Sequence, residues 1–186
     1  FIASREEFFK GAFLIENDTE LILQKNLFFN INLKYSLVDN FDDLRIPPVD
    51  TFPAQVRSDV KDYYRNMDNG VLLGRAQIDY HLSPKTNHHI MVTVGVLEDM
   101  FSGYGMEYLY YDQYNNYALG AEIFYAYKRD YNWGLGHLDY KNLTYNLNFY
   151  LRNYGSIPFD MKISAGEYLA GLSLIHISEP TRPRLI

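Results

Sequence analysis

Alternation of apolar and polar residues constrains the fold of this chain more than any other feature of its sequence. Between residues 27 and 38 every second side chain is apolar, and those in between are mostly polar. A period of two is that of a β-strand, because successive side chains of a strand point to opposite faces. The same pattern predicts strands over residues 8–24, 27–38, 70–82, 88–97, 104–111, 117–129, 142–152 and 159–169. We therefore expect an all-β chain.

The connections between these strands differ in length in an ordered way. Short turns are predicted at 25–26, 83–87, 112–116 and 153–158, and longer connections at 39–68 and 130–141. The long loop 39–68 contains Pro47, Pro48 and Pro53, which exclude a central strand, and Ser58 is the predicted N-cap of a short helix within it. Short turns on one side and longer loops on the other are typical of a transmembrane β-barrel.

Strand length and pattern together favour an antiparallel up-and-down meander that is part of such a barrel. The predicted strands are about as long as a tilted membrane strand, roughly 9–11 residues. A soluble β-sandwich also alternates and stays open as an alternative. In a barrel the apolar side chains face outward, and we name as outward Leu72, Ile78, Val92, Val94, Leu119, Ile123, Leu143 and Leu147. The polar side chains would line the lumen and contact its contents, namely Asn30, Asn32, Lys34, Arg75, Gln77, Asp79, Glu122, Asn146, Asn148 and Arg152.

Composition narrows the classes of function. The chain has 186 residues, enough for one domain. Its net charge of −6 argues against a nucleic-acid partner. The absence of cysteine excludes disulfides and thiolate metal sites. Its 18 tyrosines suit strands and interfaces.

No catalytic motif stands out, and we predict no enzyme, no cofactor and no metal site. His88 and His89 are adjacent, so in a strand their rings point to opposite faces. Glu98-Asp99 is a carboxylate pair that would contact an ion or sugar, or form an ion-paired rim. Arg129-Asp130 is expected to bridge to Glu98 or Glu107 and so fix the strand register. An aromatic loop would stack on sugars, or would act as a plug or as an anchor at the membrane interface; its members are Tyr131, Trp133, His137 and Tyr140.

The C-terminal residues 172–186 form a separate segment. From Leu172 to Arg182 they look like the translation of a transposase-type sequencing adapter, with a natural proline-containing tail as the alternative. We therefore expect one partial barrel domain over residues 1–171 and a non-native tail that adds no strand. Residues 1–171 are then expected to be a piece of a longer protein.

Several ordered motifs resemble those of the YjbH family of exopolysaccharide and capsule proteins, which includes the GfcD-type proteins. They cover about two thirds of residues 1–171 and depart from the family pattern at Glu167; the matching stretches are 56–60, 95–110, 118–122, 128–131, 138–140 and 164–171. The resemblance implies an outer-membrane β-barrel of a Gram-negative bacterium that assists export or assembly of an extracellular polysaccharide. It implies outer-membrane lipids, the polysaccharide and other exopolysaccharide-export proteins as partners, and it brings no catalytic residues.

Two other functions stay open. One is an outer-membrane enzyme that modifies polysaccharide, which would carry paired carboxylates in its lumen. The other is a soluble carbohydrate-binding β-sandwich.

Overall fold

A single antiparallel sheet contains every strand of the described chain. The computed structural model describes residues 10–41, 59–67, 70–112, 114–153, 159–168 and 173–178. Within them the order along the sheet, β1 to β9, follows the order along the chain. The strands are β1 (Ala12–Gln24), β2 (Leu27–Asp39), β3 (Val71–Lys85), β4 (His88–Val96), β5 (Phe101–Asp112), β6 (Tyr117–Arg129), β7 (His137–Asn153), β8 (Phe159–Glu167) and β9 (Ser173–Ser178). The predicted all-β antiparallel meander is confirmed, and each of its eight predicted strands has a counterpart.

Apolar side chains of the sheet are exposed, and polar ones on the opposite face are buried. Thr93 is 2% exposed whereas Val94 beside it is 50% exposed. Asn146 and Leu147 repeat this contrast, at 9% and 64%. Asn32, Asp79, Thr144 and Ser164 are also buried. We call the two sides of the sheet the apolar face and the polar face.

Each residue that was predicted to face outward is exposed except Leu72, which is fully buried. Leu72 and Gly74 lie on the polar face, since a Cβ at Gly74 would lie 2.2 Å from Asn32 Oδ1. Asp79 is on the same face and bonds Asn30. Gly74 and Asp79 are five residues apart, and in a regular strand residues separated by an odd number point to opposite faces. Since both lie on the polar face, β3 contains an irregularity between them, such as a β-bulge. Gly95 of β4 has φ +138° and lies close to the backbone of β3, because a Cβ on it would lie 2.2 Å from the Ala76 carbonyl oxygen.

The expectation that residues 172–186 add no strand is wrong. Ser173–Ser178 forms β9 and pairs antiparallel with β8, from Glu167↔Ser173 to Lys162↔Ser178. It lies at the end of the sheet order, and Ile175 is 77% exposed. A sheet edge offers unpaired N–H and C=O groups to any segment of suitable pattern. Backbone pairing therefore accounts for this strand without any fitted side-chain packing.

A short helix, α1 (Val60–Arg65), lies between β2 and β3 in the chain, as predicted. Its N-cap residue is Asp59, whose side chain makes no capping hydrogen bond. The predicted cap, Ser58, lies outside the described residues. None of the helical residues in the described chain belongs to a segment long and apolar enough to cross a membrane.

Contacts divide the chain into two compact units. The first unit draws on Phe1–Asp79, Val94–Gly103 and Ala126–Lys141. The second unit draws on Tyr80–Thr93, Tyr104–Tyr125 and Asn142–Ile186. In the second unit Gly105 makes room for the Phe124 ring, since a Cβ there would lie 2.2 Å from Phe124 Cδ1. The Tyr104 and Tyr125 rings stack with centroids 5.8 Å apart.

Candidate functional site

The first unit contains a polar pocket of about 270 Å³, which we call the first-unit pocket. Side chains from β1, β2, β3, α1, the turn 97–100 and the loop 130–136 line it. Its acidic residues outnumber its basic ones. The acidic residues are Glu16, Asp18, Glu98 and Asp99, the basic ones are Lys34 and Arg75, and the aromatic ones are Tyr63, Tyr64 and Trp133.

Pairing between β1 and β2 brings the charged wall of the pocket together. Glu16 lies opposite Lys34, and Asp18 lies opposite Asn32. Directly opposed residues of antiparallel strands share a face. A register shift between Ile22 and Gln24 sets this alignment.

Lys34 contacts both an acidic and an aromatic residue of the pocket. Its Nζ lies 2.7 Å from both carboxylate oxygens of Asp99 and 5.9 Å from the centroid of the Trp133 ring. Asp99 belongs to the turn between β4 and β5, so this ion pair ties that turn to β2. One half of the predicted Glu98-Asp99 pair is therefore ion-paired at the pocket.

Asn32 forms part of the pocket wall and is only 4% exposed. Its Nδ2 donates to Glu16 Oε1 at 2.8 Å. Its Oδ1 accepts no hydrogen bond within the described residues. A Cβ at Gly74 would lie 2.2 Å from this oxygen and 3.1 Å from both Asp99 Oδ1 and Lys34 Cε. Glycine at position 74 therefore lets these three side chains pack closely against the backbone of β3.

Beside the pocket, Arg129 is fully buried and binds backbone carbonyl groups. Its guanidinium donates to the carbonyl oxygens of Leu73 at 2.8 Å, Asp99 at 3.0 Å and Glu98 at 3.3 Å. It also donates to those of Trp133 at 2.5 Å and Gly134 at 2.9 Å. The predicted bridge from Arg129 to a carboxylate of Glu98 is wrong in its atoms, because the carbonyl of Glu98 is the acceptor. Arg129 nevertheless joins β3, the turn 97–100 and the loop 130–136.

A buried ion pair connects the neighbouring Lys128 to the start of α1. Lys128 is fully buried and its Nζ lies 2.5 Å from Asp59 Oδ1. Tyr131 donates its hydroxyl to Asp59 Oδ2 at 2.9 Å. Burial, together with the hydrogen bond to Asp59, raises the pKa of the Tyr131 phenol above its usual value. The hydroxyl therefore keeps its proton, and donates to Asp59, up to a higher pH than a free tyrosine would.

Tyr63 and Trp133 complete the attachment of the helix. Trp133 Nε1 donates to the Tyr63 carbonyl oxygen at 2.9 Å, and the Tyr63 hydroxyl donates to the carbonyl of Arg129. Burial raises the pKa of the Tyr63 phenol as well, with the Asp59 carboxylate as a second cause. Trp133 has φ 62°, a left-handed conformation that a bulky residue rarely adopts. We call the interacting set the Arg129 cluster; it consists of Asp59, Tyr63, Lys128, Arg129, Tyr131 and Trp133.

Other predicted residues of the first unit have partners outside the pocket. Asn30 Nδ2 donates to Asp79 Oδ2 at 2.6 Å, and Gln77 Nε2 lies 3.0 and 2.9 Å from the two Asp79 oxygens. His137 Nε2 lies 2.5 Å from Ser102 Oγ. The Tyr140 ring packs against Phe101, with centroids 6.3 Å apart.

The remaining predicted residues belong to the second unit. Glu122 and Asn148 line a pocket of about 510 Å³, and Asn148 Oδ1 accepts a hydrogen bond from Ser164 at 2.7 Å. Asn146 is buried, and its Oδ1 accepts no hydrogen bond within the described part of the chain. Arg152 is paired with Asp160 at 2.9 Å. The structure thus gathers at one pocket Asn32, Lys34, Arg75, Glu98, Asp99 and Trp133, and it places the other predicted residues elsewhere.

Sequence reasoning missed Glu16, Asp18, Tyr63, Tyr64 and Gly74 as parts of the site. Glu16, Asn17 and Asp18 form a polar run that interrupts the apolar pattern of the predicted strand 8–24, although β1 runs through it. The charge of Glu16 and Asp18, opposite the amide and amine of β2, is the signal that would have found them.

The described residues contain no group of three or more His, Asp or Glu side chains arranged to hold a metal ion. His88 and His89 have separate partners. His88 Nδ1 lies 2.7 Å from the Tyr108 hydroxyl, and His89 Nδ1 lies 3.0 Å from Ser83 Oγ.

Comparison with known proteins identifies relatives of the chain. Residues 1–172 match the YjbH family, described as exopolysaccharide biosynthesis protein YbjH. The uncharacterized lipoprotein YjbH of Escherichia coli K12 is 28% identical over 175 residues, which are 91% of this chain and 25% of that protein. The chain therefore spans a quarter of the length of this curated relative. No solved structure matches it significantly. Since the family match extends over nearly the whole chain, the chain belongs to the YjbH family of exopolysaccharide biosynthesis proteins.

Proposed function

We propose that the chain forms part of an outer-membrane β-barrel that assists the export or assembly of an exopolysaccharide. The observation that carries the proposal is the inverted burial of the sheet, with Val94 and Leu147 exposed and Thr93 and Asn146 buried. A soluble sandwich buries its apolar side chains between two sheets. Lipid-facing strands expose them instead and turn polar side chains inward.

The family supports the polysaccharide as the molecule on which the protein acts. The lipoprotein name of the relative is in keeping with a place in a Gram-negative envelope. The polar face offers amide, hydroxyl and carboxylate groups, such as Asn32, Thr144 and Ser164. These groups exchange hydrogen bonds with sugar hydroxyls, so the face serves as a conduit or scaffold for the glycan. Outer-membrane lipids and other exopolysaccharide-export proteins are its further proposed partners.

Single cysteine substitutions at neighbouring positions on the two faces of the sheet test the membrane part of the proposal. The chain has no cysteine, so single cysteines at 93, 94, 146 and 147 can each carry a spin label. In lipid vesicles we expect labels at 94 and 147 to collide mainly with oxygen. Labels at 93 and 146 should collide with a water-soluble nickel complex or with neither reagent. Nickel access at 94 and 147, or release of the protein by carbonate wash, would support the soluble sandwich.

Secretion assays test the polysaccharide part. Deleting the gene should reduce cell-surface exopolysaccharide, and the wild-type gene should restore it. Unchanged exopolysaccharide in the deletion strain would contradict the proposal.

A polysaccharide-modifying enzyme is the second candidate, because Glu16, Asp18, Glu98 and Asp99 all line one pocket. Glycoside hydrolysis requires two carboxyl groups about the scissile bond. Purified protein incubated with the exopolysaccharide should then release new reducing ends, and Glu16→Gln or Asp18→Asn should abolish the release. No release of reducing ends would favour the conduit or scaffold.

A further inference from the structure

We propose that the first-unit pocket is a subsite for one sugar residue that is neutral or carries an amino group, and that it rejects acidic sugars. This inference rests on the proposed function and names the class of glycan that the polar face accepts. The volume of about 270 Å³ lies just below the roughly 300–1,000 Å³ usual for drug-sized ligands. One sugar ring therefore suits it better than a longer stretch of chain.

An incompletely satisfied amide supports binding at this position. Asn32 is 4% exposed and lines the pocket, yet its Oδ1 has no donor within the described residues. Buried polar atoms without a partner are uncommon, because the free-energy cost of removing them from water is then not offset by a hydrogen bond. Gly74 lies next to this oxygen, and any Cβ there would clash with the oxygen and displace the amide. A hydroxyl or amino group of a sugar is a donor of the required kind.

The charges around the pocket determine which sugars it takes. The Asp99 carboxylate is neutralised by Lys34 at 2.7 Å. Glu16 accepts a hydrogen bond from Asn32, and Asp18, two residues further along β1, is exposed to solvent. Because acidic groups outnumber basic ones, the field in the pocket repels a uronate and attracts an amino group. The aromatic side chains of Tyr63, Tyr64 and Trp133 add apolar surface for the carbon face of a ring.

Binding of three defined oligosaccharides to the purified protein in detergent micelles tests the subsite. The probes are neutral chito-oligosaccharide, cationic chitosan oligosaccharide and acidic oligogalacturonate, and isothermal titration calorimetry at low salt gives each Kd. We expect the first two to bind and the third to bind at least about tenfold more weakly. Preferred binding of oligogalacturonate, or binding of none of the three, would overturn the proposal.

Two variants assign the binding to this pocket. Gly74→Ala places a methyl group 2.2 Å from Asn32 Oδ1. The amide must then move away, and both favourable probes should bind about tenfold or more weakly. Gly120→Ala is its matched control in the second unit, where a Cβ has no neighbour nearer than 3.4 Å. Asp18→Asn, a change on an exposed wall, should weaken the cationic probe and leave the neutral one unchanged. If Gly74→Ala fails to fold, Asp18→Asn decides alone, and equal loss or no loss for both probes contradicts the subsite.

Failure of the subsite is distinguishable from failure of the proposed function. If no probe binds while the spin-label pattern and the secretion defect hold, the subsite alone is wrong. If the labels show a soluble sandwich, the membrane proposal fails, whatever the probes do.

Discussion

At the scale of single residues, Arg129 holds together parts of the chain that are far apart in sequence. It is fully buried, and every acceptor in its described hydrogen bonds is a backbone carbonyl. A planar fork of N–H donors fits several fixed carbonyls at once, which a single ammonium group does not. The residue therefore determines how the turn 97–100 and the loop 130–136 lie beside the pocket.

Arg129→Lys should destabilise the protein although it keeps the charge. Lysine leaves at least one of the carbonyls of Leu73, Glu98 and Asp99 without a donor, and each costs about 1–3 kcal/mol. We expect a loss of at least about 2 kcal/mol in the free energy of unfolding, measured by urea titration in lipid vesicles. Arg152→Lys, at a half-exposed ion pair, is the control and should change it by less than about 1 kcal/mol. Similar losses for both variants would contradict the assigned role.

Tyr131 gives a pH dependence in the alkaline range. Its pKa is raised in the folded protein by burial and by the hydrogen bond to Asp59, whereas in the unfolded chain it titrates near pH 10. The unfolded chain thus releases its proton first as the pH rises. The stabilisation is complete below about pH 10 and is lost as the pH approaches the folded pKa. The unfolding free energy should fall between about pH 10 and pH 11, and less steeply in Tyr131→Phe; equal slopes would exclude this origin.

At the scale of elements, the alternation predicts where strands are and fails to predict their facing at irregular positions. A one-residue slip in pairing moves a side chain to the other face, and the slip is a property of two strands together. This is why the predicted facing of Leu72 is wrong. The carbonyl acceptors of Arg129 were equally hidden, because a backbone carbonyl leaves no trace in the sequence. The strand β9 was not predicted, because residues 172–186 were set apart for their likeness to a sequencing adapter. Pairing at a sheet edge requires only a segment of suitable pattern.

Gly95 should be sensitive to the smallest substitution. In Gly95→Ala the added Cβ would meet the Ala76 carbonyl oxygen at 2.2 Å, at a residue with φ +138°. A backbone oxygen cannot move aside as a flexible side chain can, and alanine rarely adopts this φ angle. We therefore expect a loss of about 2 kcal/mol or more in the free energy of unfolding. Gly120→Ala should lose less than about 1 kcal/mol, since its neighbours are at ordinary contact distance. Equal stability of the two variants, by urea titration, would show that the strand irregularity relaxes freely.

At the scale of the whole molecule, the exposed apolar face determines which surroundings suit the protein. Exposed apolar side chains recur from β1 to β7, as at Phe13, Tyr35, Ile78, Met106 and Leu147. Soluble monomers rarely expose large apolar patches, and where they do the patch marks an interface. The sequence pattern predicted this surface well, because facing within a regular strand follows from the period alone.

A charge on this face should be costly only if lipid covers it. Leu147→Arg is expected to lower the unfolding free energy by roughly 2–4 kcal/mol in lipid vesicles, as for arginine at the lipid face of a barrel. Leu135→Arg is the matched control, because Leu135 is also exposed, at 71%, but lies in the loop after β6. It should change stability by about 1 kcal/mol or less. Equal effects of the two substitutions would show that residue 147 faces water.

The contact between Asp59 and Lys128 has a consequence for the order of folding. The two residues are 69 positions apart, and Tyr131 reaches the same carboxylate from 72 positions away. Hairpins such as β1–β2 close from neighbouring residues, and contacts of low sequence separation form earlier than distant ones. Helix α1 thus acquires its anchor only after β6 has been placed, late in assembly. An assembly intermediate halted before β6 would leave α1 open to proteases, and the anchored helix of the completed protein would resist them.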